Sequence, residues 1–112
     1  MCDMADDQML DTGAVSVFFD KTATLIVLVG DVDRMISEDL EHAGRDAIDR
    51  RGPITINAAG VTFMDSIGVA FLVRLAAAMP PDQPVVLLDP SVSVLDLLHI
   101  TGSLPYFRIV SS

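Results

Sequence analysis

Runs of β-branched and aliphatic residues alternate along this chain with segments of helical spacing. That alternation restricts the fold more than any other feature. Val15–Phe19 and Ala23–Val29 are two β-rich runs separated only by Asp20-Lys21-Thr22, which predicts a hairpin. The second run, ATLIVLV, is apolar on both sides, as expected of a central strand covered on both faces. Leu40, Ala43, Ala47 and Ile48 then recur at helical spacing and predict a helix over Ser37–Arg50, stopped by Gly52-Pro53. On its polar side Glu41 and Arg45, and Asp46 and Arg50, are placed for i,i+4 ion pairs worth about 0.2–0.5 kcal/mol each. Pro53–Ala58 predicts a third strand and Gly60–Met64 a loop. Ile67–Met79 predicts a second helix, almost entirely apolar, with Arg74 its only charge. Prolines 80, 81 and 84 bound the next connection, and Val85–Leu88 predicts a fourth strand. A third helix is expected over Ser93–Thr101, with Ser93 and Asp96 as a capping-box-like start and Gly102 as its stop. Phe107–Val110 predicts the last strand. The order β-β-α-β-α-β-α-β predicts an α/β fold. Its sheet is mixed, because crossover helices favour parallel pairing and the opening hairpin is antiparallel.

At 112 residues the chain has the length of one domain. Aromatic residues are only 5%, so Val, Leu, Ile, Ala and Met must fill the core. Residues 1–13 predict a flexible acidic extension, and residues 14–112 the folded domain. The formal net charge of −9 argues against nucleic-acid backbones and anionic membrane surfaces as partners. It suits a basic protein partner. The longest apolar stretch is interrupted by Arg74 and falls short of the roughly 20 residues a membrane span needs. The acidic start lacks the form of a signal peptide, and Cys2 is the single cysteine, so a cytoplasmic location is expected.

Catalytic chemistry has little support. The two histidines, His42 and His99, stand in no metal-binding spacing, and no phosphate-cradling glycine motif occurs. Asp31 and Asp33 lie in a strand-to-helix turn, where carboxylates commonly cap exposed N–H groups. No catalytic residue, metal or cofactor is therefore assigned, and the expectation is a binding module and not an enzyme.

The informative stretch is Asn57 to Leu75, NAAGVTFMDSIGVAFLVRL. A buried strand leads to Asp65-Ser66, which opens an apolar helix. Ser66 is the expected N-cap, and Asp65 places negative charge beside the helix's positive end. Gly68 removes a side chain in the first turn, which suits close approach of another backbone or of a partner. Phe71, Leu72 and Leu75 are expected on the sheet. Ile67, Ala70 and Ala77 are expected nearer solvent, as partly exposed apolar surface of the kind that marks binding sites.

FMDSIGVAFLVRL resembles the signature of STAS domains, the family named for sulfate transporters and anti-sigma factor antagonists. Gly30-Asp31-Val32-Asp33 is similar to the family's Gly-Glu-Leu-Asp turn, Pro84–Leu88 to its fourth strand, and Leu97–Gly102 to its closing helix. The resemblance covers residues 14 to 110. It implies a STAS-like fold in a bacterial anti-sigma factor antagonist that regulates transcription by protein binding. Its partner would be an ATP-binding anti-sigma factor that is also a serine kinase, and docking would free the sigma factor. Carried over by motif, Asp33, Asp65, Ser66, Ile67 and Gly68 form the docking surface. In phosphorylated relatives the acceptor is the Ser or Thr just before the Gly, and here that position is Ile67. Ser66 is the hydroxyl left as a possible phosphorylation site, and its expected capping role opposes that use. Two other STAS roles stay open: a subunit of a lipid-transport ABC complex, which would bind an ATPase subunit, and a stressosome-like scaffold.

Overall fold

The computed structural model describes residues 13–112, so the expected N-terminal extension lies, except for Gly13, outside the described residues. Gly13 is buried against the Asp31 carbonyl, where a Cβ would stand 1.8 Å from the oxygen.

The described chain forms strands β1 (Ala14–Asp20), β2 (Ala23–Val32), β3 (Ile54–Met64), β4 (Val85–Leu88) and β5 (Phe107–Val110). Helix α1 (Ser37–Arg50) joins β2 to β3, α2 (Ser66–Ala78) joins β3 to β4, and α3 (Val92–Ile100) joins β4 to β5. Short 3-10 turns at Arg34–Ile36 and Leu104–Tyr106 complete the order. The sheet order is β1-β2-β3-β4-β5. The β1–β2 hairpin is antiparallel and the other pairs are parallel. The hairpin turns at Lys21, whose φ of 58° is left-handed.

One core lies between the sheet and the helices. Ile26, Leu28 and Val32 of β2, Ile54, Ile56 and Ala58 of β3, and Val85 and Leu87 of β4 face Leu40, Ala47, Phe71, Leu72 and Leu75. The expected stripes of α1 and α2 are thus the buried ones. In α1 Gly44 is buried as well: a Cβ there would stand 3.3 Å from the Phe71 ring, so the glycine lets α1 and α2 approach. Val94 and Leu98 of α3 join the same core.

Four local expectations are corrected. The loop expected over Gly60–Met64 is the second half of β3. β2 continues to Val32 and offers β3 a parallel partner as far as Met64, with register shifts that absorb the irregular residues. Gly60 sits at one of these shifts, where a Cβ would meet a Val29 methyl at 2.8 Å. Second, β2 is central, but only one of its faces is buried: Ile26 and Leu28 have no exposure, whereas Val29 on the other face is 40% exposed. Third, α3 starts at Val92 with Ser91 as its cap, not at Ser93. Ser93 instead lies beside the uncovered edge of β3, its hydroxyl donating to the Thr62 carbonyl at 3.4 Å. Fourth, Arg50 does not serve Asp46. Its guanidinium lies 4.0 Å over the Phe19 ring and donates to the Lys21 carbonyl, tying the end of α1 to the hairpin.

Candidate functional site

The paired ends of β2 and β3 build the site. Val32 and Met64 are register partners, so the next residues, Asp33 and Asp65, leave the sheet side by side. The Asp65 N–H donates to the Val32 carbonyl at 3.2 Å and fixes one turn against the other. Each aspartate then caps the element that follows it. Asp33 Oδ1 accepts from the Met35 N–H at 3.0 Å, and Asp65 Oδ1 accepts from the Ile67 N–H at 2.8 Å. Both residues have the extended backbone usual for a cap. The expected capping role of Asp33 is thus observed. Asp31 instead accepts from the Thr62 hydroxyl at 3.1 Å, across the same pair of strands.

The cap of α2 is Asp65 and not Ser66. Ser66 is the first residue of the helix and is exposed. The carboxylate wins because it precedes the helix with an extended backbone and reaches the N–H two residues ahead. The objection to Ser66 as a hydroxyl nucleophile, that capping occupies it, therefore falls.

Asp33, Arg34, Met35, Asp65 and Ile67 line one shallow recess. Ile67 is 36% exposed beside Asp65. From Ile67 a cleft runs on between α1 and α2, lined by Leu40, Glu41, Ala70, Phe71 and Arg74. Gly68 points the other way. It is buried, and a Cβ there would stand 2.4 Å from Met64 Cγ and 3.0 Å from a Val32 methyl. Gly68 therefore seats the first turn of α2 on the ends of β2 and β3 and presents no surface to a partner. Of the five motif residues, Asp33, Asp65 and Ile67 line the recess, Ser66 is exposed between the last two in sequence, and Gly68 supports the turn from below.

Two apolar residues at the same end were not singled out from the sequence. Met35 is 81% exposed in the turn between its cap and α1, and Phe63 is 52% exposed on the side of β3 away from the core. The one available signal was an apolar side chain inside a polar turn, in DRMIS. Among the described residues no three His, Cys, Asp or Glu side chains group as metal ligands. The arrangement sets exposed apolar side chains, Met35 and Ile67, beside the polar side chains of Asp33, Arg34 and Asp65.

No helix among the described residues is long and apolar enough to cross a membrane. No curated protein matches the chain. Among solved structures it resembles an anti-sigma factor antagonist from Mycobacterium paratuberculosis, with a TM-score of 0.77 and 18% identity over 89% of this chain and 86% of that one. It also resembles the antagonist SpoIIAA in its unphosphorylated form, with a TM-score of 0.70 and 20% identity over 86% of this chain and 87% of that one. For the phosphorylated form of SpoIIAA, a Bacillus cell fate determinant, the TM-score is 0.68 and the identity 22%, over 86% of this chain and 90% of that one. These likenesses establish a shared fold. The family model described as "Mlab, STAS domain" matches residues 15–103, from the first strand to the end of the third helix, and the chain belongs to the STAS domain family.

Proposed function

We propose that this STAS domain is an anti-sigma factor antagonist whose partner is an ATP-binding anti-sigma factor of the serine-kinase type. The observation that carries this reading is the junction of two separate loops. Asp33 and Asp65 are brought together at the sheet end beside the exposed Ile67, at the positions matched by motif. The structures named above, themselves antagonists, support the reading. A rigid pair of caps with apolar side chains between them needs little reordering on docking, which favours affinity. The reaction is binding alone: the antagonist occupies the anti-sigma factor and the sigma factor is released.

Ser66 is the exposed hydroxyl next to the family's acceptor position, and any phosphorylation switch would act through it. The test is calorimetry with the purified serine-kinase anti-sigma factors of the source organism, followed by mass spectrometry after incubation with ATP. Binding to none of them removes the proposal. Phosphate on Ser66 establishes the switch, and its absence with intact binding makes the interaction constitutive.

A second reading, the STAS subunit of a lipid-transport ABC complex, is favoured by one observation. Ile67 carries no hydroxyl where the family is phosphorylated, and a permanent subunit needs no such switch. Co-purification with an ATPase subunit in place of an anti-sigma factor distinguishes the two.

A further inference from the structure

The two edges of the sheet are protected very differently. β5 is a short edge of four residues that carries Arg108 and follows Pro105. Its far end is held by Asp89, whose carboxylate accepts from both the N–H and the hydroxyl of Ser112. β1, at the other edge, is seven residues long, AVSVFFD, with Asp20 its only charge and no proline. Two large aromatic residues stand on it half-exposed, Phe18 at 57% and Phe19 at 46%. Arg50 covers one side of the Phe19 ring only. An edge strand that is long, apolar and free of charge along its middle is a template for another strand.

We propose that a second copy of this chain occupies that edge. The two β1 strands pair antiparallel about a two-fold axis at Val17, and the two sheets become one. The strand is self-complementary in this register. Val17 lies opposite its own copy, Val15 opposite Phe19, Ser16 opposite Phe18, and Ala14 opposite Asp20. Val15, Val17 and Phe19 share the side of the sheet that faces the helices, and Ser16 and Phe18 share the other, so pairing keeps both faces in phase. The two Asp20 carboxylates fall at opposite ends of the seam, and no like charges meet. Seven paired residues make about six to eight main-chain hydrogen bonds, and the seam gains aromatic–aliphatic contacts on one face. A closed symmetric pair also removes the exposed edge, because among the described residues β1 is the sheet edge that lacks such protection. The inference is independent of the identity of the docking partner. Antiparallel pairing would send the two Asp33–Asp65 surfaces to opposite ends of the joined sheet and leave both open, so the dimer would be bivalent.

The test uses the full chain with Cys2→Ser to remove the native thiol. Light scattering at about 100 μM should give the mass of two 12.0 kDa chains. Val17→Cys should form a disulfide between copies, since directly opposed residues have Cβ atoms about 4.5–5.5 Å apart, near disulfide geometry. Ile109→Cys, on the other edge, should not. The double variant Ser16→Lys, Phe18→Lys sets Lys opposite Lys twice across the axis at exposed positions. It should run as a single chain with an unchanged circular dichroism spectrum. Should that variant fail to fold, the contrast between the crosslinks at Val17 and Ile109 decides the matter by itself. A parent that stays monomeric, a dimer that crosslinks through Ile109 and not Val17, or a dimer that persists in a folded double variant each overturns the proposal. So does a monomeric parent that dimerises only when residues 1–12 are removed, since the chain's own N-terminus would then be the occupant.

Discussion

Asp65 is the residue that starts α2. Its carboxylate caps α2, and loss of such a cap costs about 1 kcal/mol. Asp65→Ala should lower stability to urea by that amount, whereas Ser66→Ala should leave it nearly unchanged. Equal losses in the two variants would return the cap to Ser66. Ile67 carries the binding prediction. A carboxylate buried unpaired in an apolar interface meets a desolvation penalty of several kcal/mol, and about 1.4 kcal/mol is a factor of ten. Ile67→Glu should therefore weaken binding to the proposed anti-sigma factor partner by about a hundredfold or more in calorimetry. The fold should survive, because an acidic residue suits a helix N-terminus. Equal affinity of parent and variant would place the docking surface elsewhere.

Among the elements, β5 depends on its neighbour's loop. Asp89 adopts a left-handed backbone, with φ of 49°, that turns its N–H onto the Val110 carbonyl at 2.8 Å. Its carboxylate holds Ser112, and those two hydrogen bonds keep its pKa below the ordinary value of 3.8. A carboxylate with a depressed folded pKa stabilises the folded state above its unfolded pKa, and that contribution fades as pH falls through the folded one. The C-terminal end of β5 should therefore stay protected at neutral pH and loosen only in acid, below the ordinary 3.8. Amide exchange at Ile109 and Val110 reads this out, and Asp89→Ala should give the same loosening at pH 7. Exchange that does not differ between Asp89→Ala and the parent would show that β4 pairing alone holds the strand.

For the molecule as a whole, the net charge of −9 and the paired carboxylates at the sheet end act in the same direction. Attraction between separated exposed charges is screened within about 8–10 Å at physiological salt. Association with a basic docking partner should slow several-fold between about 50 and 500 mM salt, with a smaller change in the dissociation rate. Stopped-flow mixing at several salt concentrations measures both. An association rate indifferent to salt would leave apolar contact through Met35 and Ile67 as the sole driving force.

Period and punctuation in the sequence determined the element order, the hairpin, the parallel crossovers and the buried stripes of α1 and α2. These are local properties: a period near two or near 3.6 selects which residues face a core whatever lies opposite. The motif at Asp65–Gly68 was legible because it combines a cap, a close approach and an apolar helix within a few residues. What the tertiary structure alone decided were relations between distant segments. Gly60–Met64 resembles a loop until β2 is seen to extend alongside it, for a glycine and a register shift hide the strand from pattern reading. The turn that holds the Asp65 cap is also tied to the Val32 carbonyl, 33 positions away in the chain. Gly68 proved inward-facing once Met64 and Val32 were found beneath it. Met35 and Phe63 entered the site only when the ends of two strands were placed together. Sequence periodicity describes each element's own faces; which faces stay uncovered depends on every other element, and only the assembled fold sets that.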